Sequence, residues 1–351
     1  MYFLLHRLVL KSLFVLSVLL LNACSTKEVI DEPVGPAEFE WVRVDYITSG
    51  SAWLSADIKG NLANVEEVGF SWGTNPKPDI SDHFFSQEAQ AGIFGSRIEN
   101  LNEGVLYYAR PYYRVLNTYF YGEQQEFRTV AGVNDIEGNA YEVVQIGTQL
   151  WLSQSLRSTV YNNGDSLTAG TEMGNYTGLE QPALYFYYKD NPAMAEEYGL
   201  LYTWYAITDS RGICPAGFRV PGNTEWETLT NHLDPLSLSF DQLVPDNNSL
   251  SVVVGGMLKD TGNLEAGTGL WEYPNRGATN VSSMQVLPTG LRDPSGAFDG
   301  MGYNAAFWSG SEKNEAQAHM VYMHFFNEGL FSNVFNKKTG YALRCMKEAD
   351  L

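Results

Sequence analysis

From Phe39 to Val130 the sequence is cut into short runs in which apolar and polar residues alternate, a period that lays one apolar face along a pleated strand and makes no helical stripe. The runs are Trp41 to Ile47, Ala52 to Ile58, Val65 to Trp72, Leu106 to Val115, Tyr119 to Gly122 and Glu126 to Thr129. Each is rich in aromatic or β-branched residues, and turn-forming residues separate them. Several such strands in series predict an antiparallel β-sandwich over 39–130. The segment from Val130 to Asp135 then breaks the chain, and beyond Asn134 the texture becomes rich in Gly, Asn and aromatic residues. Two helices are expected there, at Leu200–Ile207 and Gly222–Leu233, with strands near Met284–Leu287, Ala306–Ser309, Ala318–Phe326, Leu330–Phe335 and Tyr341–Met346. The fold class is therefore mainly β, with an α+β C-terminal domain over 134–348.

The first 23 residues read as a secretory signal peptide. Arg7 and Lys11 precede an apolar run from Leu13 to Leu21, shorter than the roughly 20 residues a transmembrane helix needs. Leu21-Asn22-Ala23-Cys24 resembles the bacterial lipobox, which implies that Cys24 becomes the first mature residue and carries a lipid; the alternative is a plain cleaved signal with an incidental cysteine. Residues 24–38 have too few apolar side chains to fold and read as a flexible tether. The chain would then sit on the outer membrane or cell surface, with the periplasm-facing leaflet also open.

Lys and Arg number 22 against 41 Asp and Glu, a formal charge of -19, and loss of Arg7 and Lys11 with the signal leaves -21. Nucleic acid and anionic headgroups are poor partners for such a surface, because both require clustered cations.

Only Cys24, Cys214 and Cys345 occur. With Cys24 lipidated, the other two form an even pair in an oxidising compartment, either as a disulfide or as two buried thiols.

Two resemblances sharpen these readings. Val68-Gly-Phe-Ser-Trp-Gly-Thr74, Asn100 to Gly104 leading to Tyr107-Tyr-Ala-Arg-Pro-Tyr112, and Tyr121-Gly122 to Thr129 resemble the fibronectin type III-like modules of surface proteins in gut Bacteroidetes, which are mostly spacers or adhesive units. Farther on, Asp135 to Tyr141, Ile146 to Leu152 with Trp151, Tyr161 to Asp165, Leu201-Tyr-Thr-Trp204, Cys214-Pro-Ala-Gly217-Phe-Arg219-Val-Pro221 with Glu225-Trp226, Gly255 to Lys259, Trp308-Ser309 and Arg344-Cys345 stand in order. They resemble the Fibrobacter succinogenes major paralogous domain over nearly all of 135–347. That resemblance implies a C-type lectin-like fold on a surface lipoprotein, and makes Cys214 and Cys345 family positions, which favours their pairing.

The candidate chemistry is sparse. Gly69-Phe-Ser-Trp-Gly73 matches a hydrolase elbow, but Thr74-Asn-Pro-Lys-Pro78 follows, where two prolines oppose the required helix, so a strand and turn are expected. His83, His232, His319 and His324 form no metal-ligand spacing, since His319 and His324 are five apart on a strand and face opposite ways. Asp293 to Asp299 offers oxygen ligands without EF-hand spacing and reads equally as a hairpin turn. Gly-Phe-Arg-Val-Pro with Glu-Trp also resembles the formylglycine-generating enzymes, whose additional cysteines are missing here. No catalytic residue, metal or cofactor is assigned. Glu225 stands at the third helical position, where it can cap the helix. Asp165-Ser166-Leu167 fits a short O-glycosylation pattern.

Aromatic residues are the remaining functional signal. Trp151, Trp204, Trp226 and Trp308 sit in the motifs and read as core. Tyr176, Tyr188, Trp271 and Tyr273 lie in loop-like sequence, where exposed rings would stack on sugars or anchor protein partners. The expectation is a non-catalytic surface lipoprotein that binds an extracellular glycan or protein through its lectin-like domain. A structural or adhesion subunit of a surface assembly is the alternative, and an enzyme of the formylglycine-generating type comes third.

Overall fold

The alternating runs form two antiparallel sheets packed face to face. In the computed structural model, which describes residues 36–244 and 248–349, the strands are β1 (Ala37–Asp45), β2 (Ala52–Gly60), β3 (Glu67–Gly73), β4 (His83–Glu88), β5 (Gly92–Ile98), β6 (Leu106–Val115), β7 (Thr118–Tyr121) and β8 (Gln125–Arg128). The signal segment 1–23, Cys24 and most of 24–38 lie outside the described residues.

One sheet has the order β1-β2-β5; the other runs β4-β3-β6-β7, with β8 also on β6. Leu54, Ala56, Ile58 and Phe94 from the first pack against Val68, Phe70, Tyr113 and Phe127 from the second. Strand β6 shows the alternation directly. Tyr107, Ala109 and Tyr113 point into this core, while Arg110 stacks 3.9 Å from the Tyr121 ring centroid and Arg114 pairs with Glu67 at 3.2 Å. Strands β4 and β5 were not expected from the sequence. Each is the edge of its sheet, and an edge strand with one partner needs less apolar alternation than a central one.

Beyond Asn134 the strands of the two main sheets are β9 (Val143–Ile146), β10 (Gln149–Leu152), β11 (Ser249–Ser251), β12 (Asn304–Glu312), β13 (Gln317–His324), β14 (Leu330–Asn336) and β15 (Met346–Glu348). They form a three-stranded sheet, β9-β10-β15, and a four-stranded sheet, β11-β14-β13-β12. Among the described residues the fold is thus mainly β, in several sheets and without a barrel.

The helix expected at Gly222–Leu233 forms as Asn223–Leu233. That expected at Leu200–Ile207 shrinks to a single turn, Trp204–Ile207, because Leu201–Tyr202 is drawn into a strand: Tyr202 exchanges backbone hydrogen bonds of 2.8 and 3.1 Å with Tyr341. The strand expected at Met284–Leu287 is reduced to one bridge between Lys259 and Val286, and in the segment expected as Tyr341–Met346 the strand begins only at Met346. No described helix is long and apolar enough to cross a membrane.

The sandwich and the C-terminal region share a seam, and all described residues belong to one compact unit. Ile47 and Gln145 exchange two backbone hydrogen bonds of 3.2 and 2.8 Å, and Val130 N–H donates to Thr48 O at 3.2 Å. His232 Nε2 stands 3.3 Å from Asp45 Oδ1, and Tyr46 packs against the C-terminal core. Burial, reinforced by the neighbouring Asp45 carboxylate, pushes the Tyr46 hydroxyl up to about 12.

Candidate functional site

The motif residues build a frame around the bridge between Cys214 and Cys345. These two cysteines are bonded, with Cα atoms 5.8 Å apart across 131 residues of sequence, so the alternative of two free thiols is excluded. Gly217, at φ +82°, lets the chain turn before Arg219, whose backbone exchanges hydrogen bonds of 2.7 and 2.9 Å with Met346. Pro221 O accepts from Gly310 N–H at 2.8 Å. Glu225 Oε2 accepts from Gly222 N–H at 2.6 Å, the capping contact that its position predicts. Arg219 Nη2 lies 3.0 Å from both Glu225 and Glu348. Against the opposing effect of partial burial, the Arg219 guanidinium and the Gly222 amide hold the Glu225 carboxyl below its ordinary value. Glu225 is therefore committed to structure.

The four motif tryptophans are framework too. Trp151 and Trp226 pack with ring centroids 4.8 Å apart. Trp308 Nε1 donates to Tyr202 O at 2.8 Å, and Trp204 Nε1 to Ser309 O at 3.0 Å. Arg344 is buried, and its Nη1 donates to Leu152 O and Met284 O at 3.0 and 2.8 Å. Burial pushes this guanidinium down to about 9.

The loop aromatics divide differently from expectation. Trp271 is 0 % exposed and donates from Nε1 to Val286 O at 3.0 Å; Tyr176 is 2 % exposed and stacks on Phe186 at 5.4 Å. Neither presents a ring face to a ligand. The long irregular segment between Lys259 and Arg292 carries little regular backbone pairing, so its rings are used to build its own core. Tyr188 is also buried, with its hydroxyl accepting from Met301 N–H at 3.3 Å, and survives only as the wall of a cleft. Tyr273 is 61 % exposed but stands outside that cleft's lining.

The cleft has a volume of about 440 Å³ and lies where three segments of the C-terminal region meet, 188–198, 264–270 and 298–303. Tyr188, Tyr198, Phe298 and Tyr303 supply rings, and Lys189 and Asp299 supply opposite charges. Tyr188 and Phe298 pack at 5.1 Å, whereas Tyr303 remains 47 % exposed. Lys189 and Asp190 both adopt positive φ, 52° and 54°, which non-glycine residues rarely do consecutively. Asp190 is held there by Arg292, buried and 3.2 Å away. Beside the cleft's loops, the buried Lys259 ammonium donates to the carbonyls of Arg276, His324 and Asn327. Tyr198, Phe298 and Tyr303 were not singled out by sequence reasoning; Gly300-Met-Gly302-Tyr303, a ring beside two turn glycines, is the signal that points to the last.

The remaining candidates resolve locally. Ser71 lies within β3, fully buried, and donates to Pro78 O at 2.9 Å. Asp293 closes a hairpin between Thr289–Arg292 and Phe298–Met301, its Oδ1 accepting from Ser295 N–H at 2.8 Å. Among the described residues no group of three His, Cys, Asp or Glu side chains converges as a metal site. Ser166 is exposed at the edge of a turn.

The Fibrobacter succinogenes major domain matches residues 144–347. Among solved structures, the chain is similar to the sensor domain of the anti-sigma factor RsgI4 in Pseudobacteroides cellulosolvens. The two are 20% identical, with a TM-score of 0.23, over 28% of this chain and 99% of that one. No curated protein matches the sequence.

Proposed function

The chain belongs to the Fibrobacter succinogenes major domain family, and from that premise we propose a non-catalytic lipoprotein, anchored through Cys24 at the outer membrane or cell surface, that holds an extracellular glycan or protein group in its C-terminal loop cleft. In this reading residues 39–130 are a fibronectin type III-like module that carries a C-type lectin-like domain, 134–348, away from the membrane. The sheet orders β1-β2-β5 and β4-β3-β6-β7 support the first assignment. The converging loops around a disulfide-tied frame support the second.

One observation carries the ligand reading: four rings from two distant stretches of chain, 188–198 and 298–303, line one concave site, with Lys189 and Asp299 at hand to fix an orientation. Clefts of this composition bind by stacking and a few directed hydrogen bonds. A glycan array screened with the full chain, with and without a calcium chelator, tests it. A glycan whose binding Tyr303→Ala abolishes at an unchanged melting temperature supports the proposal, and an array in which this substitution removes no glycan overturns it.

A second reading, docking into a surface assembly, draws on a different patch. Leu236, Val252 and Val253 are exposed beside β11, at 90 %, 73 % and 41 %. Concentration-dependent self-association, abolished by Leu236→Ser, would favour that role.

A further inference from the structure

The outer face of the β1-β2-β5 sheet and the helix Asn223–Leu233 enclose a second cleft, about 980 Å³ in volume, that shares no lining residue with the loop cleft. Because side chains alternate along β1, Trp41, Arg43 and Asp45 all stand on this outer face. Their register partners on β2 are Asp57, Ser55 and Trp53.

Trp53 lies across Gly95 of β5. A Cβ at that glycine would come within 3.0 Å of Trp53 Nε1 and 3.1 Å of Cζ2, so the missing side chain is what lets the indole rest against the sheet. Trp41 carries the Arg43 guanidinium 4.7 Å from its ring centroid. From across the seam the helix brings Asn231 and His232 to the same space, and His232 Nε2 meets Asp45 Oδ1 at 3.3 Å.

We infer that this seam cleft is a binding site for a neutral oligosaccharide, separate from the ligand proposed for the loops. Two half-buried tryptophans stand on the sheet's solvent side, and the ring area they leave uncovered suits the C–H faces of sugar rings. Arg43, Asp45 and Asn231 are planar groups with paired donors or acceptors, the geometry that holds adjacent hydroxyls. Their charges balance, and the chain as a whole stands at -19, so a polyanion gains nothing here. Trp41 sits four residues along β1 from Asp45, the partner of Trp53. That offset is about 13 Å at the strand rise, longer than one sugar ring. The ligand is therefore a chain of several units running along β1.

The test is calorimetric titration of the full chain with cellohexaose, mannohexaose, xylohexaose and maltohexaose. At least one is expected to bind, with Trp41→Ala and Trp53→Ala each weakening it by about tenfold and Tyr303→Ala leaving it unchanged. Arg43 is exposed, so Arg43→Ala keeps the fold and is expected to weaken binding several-fold even where a tryptophan variant unfolds. Binding to none of the four, or affinities that the Trp41, Trp53 and Arg43 variants leave at the parent value, overturns the inference. A hexaose lost only in the Tyr303 variant belongs to the loop cleft and likewise overturns it.

Discussion

The Lys259 ammonium lies 5.3 Å from the ring centroid of Trp271 and gives its three N–H groups to the carbonyls of Arg276, His324 and Asn327, at 2.9, 3.0 and 2.9 Å. One buried cation thereby ties two separate stretches of chain, around 276 and 324–327, to Lys259 at the end of the short helix Val254–Leu258. Burial pushes it down to about 8, against the opposing pull of Glu328. Lys259→Met removes the shared donor of three carbonyls and the charge that holds them, and should cost about 3 kcal/mol in a urea titration. Trp271→Ala should cost about 3–5 kcal/mol, because the ring is core. An unchanged denaturation midpoint for the Trp271 variant would contradict that placement.

The Cys214–Cys345 bridge closes a loop of 131 residues. Breaking it by Cys214→Ser with Cys345→Ser frees the unfolded chain of that constraint, and the expected loss is about 2–5 kcal/mol. A parent protein whose melting temperature is insensitive to reductant would argue against a structural bridge.

Two histidines should make stability fall as the pH drops below 6.5. Burial first, then Lys259 for His324 and Lys313 for His319, hold both imidazoles below their ordinary value of 6.5. As pH falls below 6.5 the unfolded chain takes up protons that the folded chain resists, so unfolding becomes easier until the lowered native values are passed. Above 6.5 their contribution is complete. The double variant His319→Gln, His324→Gln should show a flatter stability profile between pH 6.5 and 5 than the parent; identical profiles would assign any such fall elsewhere.

Within the loop cleft, Tyr303→Ala should remove ligand binding while shifting the melting temperature by no more than about 2 °C, since a half-exposed ring contributes little to folding. Tyr273→Ala, at a ring more exposed than Tyr303 but outside the lining, should change neither quantity. The pair of variants separates a site from mere surface aromatic area.

The sandwich was legible wherever period two is strong. In β6 the residues Tyr107, Ala109 and Tyr113 announce their own face. β5 was not, because Gly92 and Gly95 interrupt its pattern, and the purpose of Gly95 is visible only once Trp53 lies over it. Motif tryptophans such as Trp151 and Trp226 could be placed in the core because they sit on regular elements. Trp271 could not, since burial inside a long irregular loop depends on which distant segment covers it, here Lys259 and Val286. Tyr303 was missed for the converse reason: its exposure is decided by the fold of neighbouring loops. The cysteine pair was legible in part: with Cys24 read as lipidated, Cys214 and Cys345 were either a disulfide or two buried thiols, and the family resemblance favoured the bond, whereas nothing local marks Lys259 as buried.

The seam gives the molecule a mechanical grain. β1 begins at Ala37, on the side from which the preceding chain arrives, and ends at Asp45, two residues before the Ile47–Gln145 pairing. A pull on its start, resisted by whatever the C-terminal region holds, acts along the strand axis. The eight register pairs between β1 and β2 then share the load in shear and must give way together, instead of unzipping one after another. Such a strand resists extension far better than it resists peeling.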